Sequence, residues 1–297
     1  MTQGTVLVTG ANGFVGRRVV RALVPRARTV RAMVRSDKGA AVLAGVDCEL
    51  VSGDVTDPES LRKAANGCNA VVYLVAVLAG RAGDFDRVIA QGTRNLLAAA
   101  REAGVQRWVQ MSALGTSRET RNLVPYFHAK WEAEEEVRAS GLPHAILRPA
   151  FVFGPEGGLV PRLARIARLA PVTPILGSGA QRLQPIWVDD VAEIVARCAA
   201  GEQSGLLELG GPDVVSWNEL WTRLKATLGT RRPDLHLPFW FVRPQAVVLE
   251  RLPNPPVTRD QLTMLEAGDN VAEPNDALRF GLPLVPLDEQ LRRATAT

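Results

Sequence analysis

Residues 5–16 constrain this chain more than any other stretch. Thr5-Val6-Leu7-Val8-Thr9 is a short, continuous apolar run, the pattern of a strand buried on both faces of a parallel sheet. Glycines follow at positions 10, 13 and 16, within Thr9-Gly10-Ala11-Asn12-Gly13-Phe14-Val15-Gly16. Apolar residues then recur at helical spacing (Phe14, Val15, Val19, Val20, Leu23) until Pro25. Strand, glycine turn and helix in immediate succession have a definite physical use. Gly10 permits a tight turn, Gly13 lets the backbone approach an anion, and Gly16 allows the helix to pack closely on the strand. The helix N-terminus adds unpaired N–H groups and a partial positive charge. The turn, with Gly10, Asn12, Gly13, Phe14, Val15 and Gly16, is therefore predicted to hold the diphosphate of a dinucleotide.

The same alternation continues. Strands are predicted at 29–34, about 48–52, 70–77, 107–111 and 144–147, and helices at 13–24, about 84–103 and 126–139. A further helix opens at Asp57-Pro58, with Asp57 as N-cap and Pro58 at the first helical position. This order predicts an α/β fold, a Rossmann-type doubly wound parallel sheet over 1–150 with contributions from later segments. After Pro149 prolines and glycines become frequent and elements shorten. Residues 151–297 are predicted to form a smaller C-terminal α/β substrate region over the sheet's carboxyl edge. Capping boxes are expected at Asp190 with Glu193, Ser216 with Glu219, and Thr258 with Gln261. The prolines of 233–256 predict a rigid, irregular connection.

Composition excludes several function classes. The chain has 297 residues, is 46% hydrophobic and carries a formal net charge of only +4. Its acidic residues are interspersed with the basic ones, which argues against a nucleic-acid footprint. Cys48, Cys68 and Cys198 are widely spaced and form no CxxC, as expected of reduced thiols in the cytoplasm. The three histidines are dispersed, so no metal site is expected. The N-terminal residues run straight into a strand pattern, and no signal peptide or membrane span is expected. Leu237-Pro238-Phe239-Trp240-Phe241-Val242, with Ala246-Val247-Val248-Leu249, is either core or an apolar face for a membrane surface or protein partner.

The second strand ends in Met33-Val34-Arg35-Ser36. A carboxylate there would bind a ribose 2′-hydroxyl; the Arg35 guanidinium suits a 2′-phosphate. NADP(H) is thus the expected cofactor, with NAD(H) as the alternative. Gly53-Asp54-Val55 is placed for the adenine edge, with Asp54 and Val55 as contacts. Val75 and Ala76 are placed for the nicotinamide ribose. Tyr126 and Lys130 stand four residues apart, one turn along a helix face. An ammonium beside a phenol lowers the phenol's pKa and readies it for proton transfer. Ser112 ends the preceding strand, where it could hydrogen-bond a substrate oxygen.

With these residues the chain resembles a short-chain dehydrogenase/reductase of the extended or atypical type over nearly its whole length. The resemblance is carried by the glycine turn, the Tyr126/Lys130 pair, Gly92-Thr93-Arg94-Asn95-Leu96-Leu97, Gln110-Met111-Ser112-Ala113, Leu147-Arg148-Pro149 and Val152-Phe153-Gly154-Pro155. It is also carried by Pro185-Ile186-Trp187-Val188-Asp189-Asp190-Val191-Ala192 and Leu209-Gly210-Gly211-Pro212. Ser112-Ala113-Leu114-Gly115, Thr258-Arg259-Asp260-Gln261-Leu262 and Asp269-Asn270-Val271 are similar to the subfamily of the complex I accessory subunit, alpha-subcomplex subunit nine. The resemblance implies Tyr126 as general acid/base, Lys130 as ligand of the nicotinamide ribose, Ser112 as orienter of the reacting oxygen, and the backbone after Pro149 as nicotinamide contact. It implies hydride exchange between the cofactor and a carbonyl or alcohol of an unknown small molecule. Many family members carry a relay asparagine three residues before the glycine matching Gly92; Ile89 stands there. A non-catalytic NADPH-binding structural or redox-sensing protein, and a sugar-nucleotide epimerase or dehydratase, are the alternative functions. Monomer and homodimer both stay open.

Overall fold

A computed structural model describes residues 2–77, 80, 82–250 and 257–296 of the chain. It divides into two compact units, each assembled from three segments. The first comprises Met1–Pro149, Val188–Leu209 and Asn275–Gly281.

The first unit is built on a seven-stranded sheet, all parallel. Its strands are β1 (Thr2–Thr9), β2 (Ala27–Val34), β3 (Glu49–Ser52), β4 (Cys68–Tyr73), β5 (Arg107–Met111), β6 (His144–Pro149) and β7 (Gly205–Leu209). Their order is β7-β6-β5-β4-β1-β2-β3, so the direction of winding reverses between β1 and β4. In open sheets of this kind ligands bind at that reversal, outside the carboxyl ends of the strands.

Helices cover both faces. α1 (Gly16–Leu23) packs with the late helix Val188–Ala199 on one face. On the other, α2 (Pro58–Ala65), α3 (Gln91–Glu102) and α4 (Pro125–Ala139) pack side by side. Leu7, Val71, Tyr73, Leu96, Trp108, Val137 and Ile146 are buried between that helix layer and the sheet. This two-sided burial is why Val6-Leu7-Val8 of β1 and Ala70-Val71-Val72-Tyr73 of β4 read as unbroken apolar runs, whereas β3 at the sheet edge is largely exposed.

In this unit three expectations differ from the structure. β4 stops at Tyr73 rather than running to Val77, because its partner β1 ends at Thr9, opposite Tyr73, and turns away at Gly10. The predicted long helix from about 84 to 103 is interrupted. A short helix, Ala82–Phe85, leads into a π turn, Asp86–Ala90, before α3 begins. Hydroxyls engage carbonyls of that turn: Tyr73 donates to Val88 O (2.9 Å) and Thr93 to Ile89 O (2.8 Å). The expected capping box at Asp190 and Glu193 is absent as such. The helix already starts at Val188, and Asp189 and Asp190 lie in its first turn, where carboxylates favour the positive end of the dipole. Asp57 caps α2 as its sequence indicates, accepting from the Glu59 N–H at 3.0 Å.

The second unit comprises Ala150–Trp187, Gly210–Pro274 and Leu282–Thr297. Helices Val160–Leu169, Trp217–Leu228, Phe239–Leu249, Arg259–Glu266 and Leu287–Thr295 combine there with short two- and three-stranded sheets. Ser216 and Thr258 cap their helices, and Thr258 with Gln261 closes both bonds of a capping box. Residues 234–249 are regular rather than the expected irregular connection. Asp234–Leu237 pairs in parallel with Thr173–Leu176, and Phe239–Leu249 tolerates Pro244 inside a helix anchored by buried Val242 and Ala246. Trp240 and Phe241 on that helix are exposed. The rest of the proline-rich stretch, 251–256, and the side chains of Val248 and Leu249 lie outside the described residues.

Candidate functional site

The glycine turn sits at the β1–β4 reversal. Gly10 has φ +67°, a left-handed conformation open to glycine. A Cβ on Gly10 would press on the Leu74 carbonyl carbon (3.2 Å) and the Val75 nitrogen (3.3 Å), so the ends of β1 and β4 meet backbone to backbone. A Cβ on Gly16 would collide with the Gly10 carbonyl oxygen, which explains the last glycine of the motif. Gly13 is exposed, its own N–H turned back to Gly10 O at 3.0 Å. Asn12 is exposed beside it, and Phe14 and Val15 are half-buried as α1 begins. The bare backbone here forms a cradle that side chains would fill. These residues fit a diphosphate.

The flanking positions converge on the same sheet edge. Arg35 is exposed immediately after β2, and Ser36 caps a short turn of helix by accepting from the Gly39 N–H at 3.4 Å. Burial alone would raise the Asp54 carboxyl. Bonds from the Thr56 N–H (2.8 Å) and hydroxyl (2.7 Å), with the Arg35 and Arg87 charges, overcome that and hold it below the usual carboxylate range. Asp54 and Arg35 therefore share one electrostatic environment at the ends of β2 and β3. Val55 is buried, its carbonyl accepting from Asn95 at 2.9 Å, so it supports the wall. Val75 is half-buried and Ala76 exposed just beyond β4. Pro149 ends β6, and its carbonyl accepts from the Leu114 N–H at 3.0 Å.

α4 carries the second half of the site. Val124 is extended and Pro125 opens the helix, which places Tyr126 in its first turn and Lys130 one turn later. Tyr126 is half-buried, edge-on to Phe85 at 6.1 Å. The Lys130 ammonium lies 5.8 Å from the Tyr126 ring centre. Lys130 is 1% exposed, and its Nζ donates to Met111 O at 2.8 Å. Burial brings this lysine down to about 8, against an opposing pull from Glu134. Sequence spacing predicts that Lys130 lowers the phenol's pKa. In the structure burial of Tyr126 outweighs any such effect and pushes the phenol above its usual value.

Ser112, expected to face the substrate, is 4% exposed, and its hydroxyl donates to Glu134 Oε1 at 2.5 Å. Glu134 is fully buried and takes a bidentate pair from Arg148 (2.9 and 2.8 Å) and a further bond from Arg138 (2.7 Å). Arg148 also reaches Glu208 on β7 at 3.3 Å. Glu134 on α4 and Arg148 on β6 form a buried ion pair beneath Ser112; Arg148 stands in the Leu147-Arg148-Pro149 stretch, but no motif singles out Glu134. The available signal was spacing: Glu134 follows Lys130 by four, on the same helix stripe. Ile89 is fully buried in the π turn, packed with Phe85, Ala129 and Ala133 against Tyr126. His128, inside the Tyr126/Lys130 segment, is exposed.

A family model described as NAD(P)H-binding matches residues 10–200, spanning the glycine cradle and α4. The ceramide reductase of Caulobacter vibrioides is 32% identical over 240 residues, covering 80% of this chain and 74% of that protein. The 2-alkyl-3-oxoalkanoate reductase of Stenotrophomonas maltophilia is 28% identical over 331 residues, covering 98% of each. Subunit 9 of the NADH dehydrogenase [ubiquinone] 1 alpha subcomplex of Arabidopsis thaliana is 28% identical over 300 residues, covering 94% of this chain and 73% of that one. With the cradle, the seven-stranded sheet and these relatives, the chain belongs to the NAD(P)H-binding family and has the extended short-chain dehydrogenase/reductase fold.

Proposed function

We propose that this chain is an NADPH-dependent reductase of a lipophilic carbonyl compound. The observation that carries the reading is the Tyr126/Lys130 pair on α4. Tyr126 is held protonated by its surroundings and Lys130 is fixed by the Met111 carbonyl at the end of β5. A protonated phenol one helical turn from an ammonium can give its proton to the oxygen of a carbonyl under reduction. When bound, the reduced nicotinamide supplies the hydride. The chain's own residues do the rest. The 10–16 backbone holds the diphosphate, Asp54 the adenine edge and Arg35 the 2′-phosphate. Lys130 orients the nicotinamide ribose, and the Tyr126 hydroxyl gives its proton to the carbonyl oxygen. Two relatives are named as reductases of lipid-like compounds, which supports the substrate class.

The test is NADPH oxidation with a long-chain 3-oxo ester as probe, with the alcohol product identified by mass spectrometry. Tyr126→Phe is expected to lose about 10²–10⁴-fold in turnover with NADPH affinity unchanged. Full activity in that variant would refute the mechanism. A second reading, a protein that holds NADPH without turning it over, is favoured by one observation. Ile89 fills an apolar cluster where relay chemistry would want a polar side chain. Tight NADPH binding with no turnover of any carbonyl probe would select it.

A further inference from the structure

The end of β5 grips α4 at two successive residues. The Met111 carbonyl accepts from Lys130 at 2.8 Å, and the next side chain, Ser112, donates to Glu134 at 2.5 Å, one helical turn further on. Both contacts are buried. The Ser112 backbone N–H is also committed, to Leu147 O at 2.7 Å.

The direction of the side-chain bond is fixed by chemistry. Glu134 faces two guanidinium groups, and a carboxylate so paired only accepts. A serine hydroxyl has one proton. That proton lies on the Glu134 bond, and none is left for a substrate oxygen. Turning the hydroxyl toward a substrate would break a charge-assisted bond between two buried side chains.

We propose that Ser112 and Glu134 are positioning residues, a clamp that registers α4 on β5, and that Ser112 does not donate to the reacting oxygen. Tyr126 then supplies the hydroxyl proton alone. The kinetic part of this inference rests on the reductase reading; the clamp does not.

The experiment has two arms. In the first, melting temperatures of the full-length protein are compared for Ser112→Ala, Glu134→Gln and the double variant. The clamp predicts that the double variant loses clearly less than the sum of the two single losses. Additive losses would overturn it. Should Glu134→Gln fail to fold, proton NMR of the wild type decides. A slowly exchanging hydroxyl resonance that vanishes in Ser112→Ala supports the clamp, and its absence from the wild type refutes it. In the second arm, turnover of the 3-oxo ester probe is measured. Ser112→Ala is expected to lower kcat less than about ten-fold with KM little changed, whereas a donor to the developing oxyanion would cost about 10²–10³-fold. A loss of that larger size overturns the inference. If the wild type turns nothing over, the reductase reading fails while the first arm still decides the clamp.

Discussion

At the residue scale the site is governed by two cations in opposite surroundings. Lys130 is buried, and its depressed pKa of about 8 has consequences for stability and rate. Between about 8 and the usual lysine value of 10.5, the unfolded chain binds more protons than the folded one. Stability therefore rises with pH across that window, and the burden of the buried charge is fully present below it. Lys130→Met is expected to stabilise the protein by about 1–2 kcal/mol at neutral pH, an advantage that fades as the pH climbs toward 10.5. Urea unfolding at several pH values checks this; an advantage that grows with pH would contradict it. In the wild type, kcat/KM should fall as the pH passes about 8 and Lys130 loses its charge. Arg35 is exposed, so its value lies in what it meets rather than in folding. Arg35→Ala is expected to cut the preference for NADPH over NADH by about 10–100-fold, the worth of charge-assisted bonds to a phosphate. Titration with both cofactors measures it, and an unchanged ratio would remove Arg35 from the site.

At the element scale the π turn is the departure that matters. Sequence periodicity reads 84–103 as one helix, because a single π turn shifts the apolar stripe by only about one position. The extra residue per turn becomes visible only with the hydroxyls of Tyr73 and Thr93 in place on Val88 and Ile89. Ile89 points into the cluster of Phe85, Ala129 and Ala133. Ile89→Asn should therefore cost about 2–4 kcal/mol rather than install a relay, since it buries an amide among apolar neighbours. Denaturant unfolding gives the loss, and a stable variant with raised turnover would show that the cluster can host a polar group. The glycine turn was legible for the opposite reason. Gly10 and Gly16 are dictated by backbone contacts between adjacent elements, and such contacts leave an imprint in local sequence. Glu134 and Arg148 meet across 14 positions of chain, and nothing local marks that pairing.

At the scale of the molecule, the strand alternation of the first 150 residues was readable because the inner strands β1, β4, β5 and β6 are buried on both faces. What one strand's pattern cannot show is which later segment completes the sheet. β7 comes from Gly205–Leu209 and pairs with β6 from Ala145 to Pro149, and the helix Val188–Ala199 covers the face shared with α1. The order in which the chain is made thus differs from the order in which its sheet is filled. A ribosome releases β6 well before its outer partner exists. During that interval β6 presents an open row of backbone donors and acceptors, and Arg148 lacks Glu208. A fragment ending at residue 150 is frozen in that interval. It should aggregate in light scattering and show no cooperative melt, and a monomeric, cooperatively folded fragment would count against this. For this sheet the cofactor half is not a detachable module, and the nascent chain is exposed to edge-to-edge association until residue 209 has emerged.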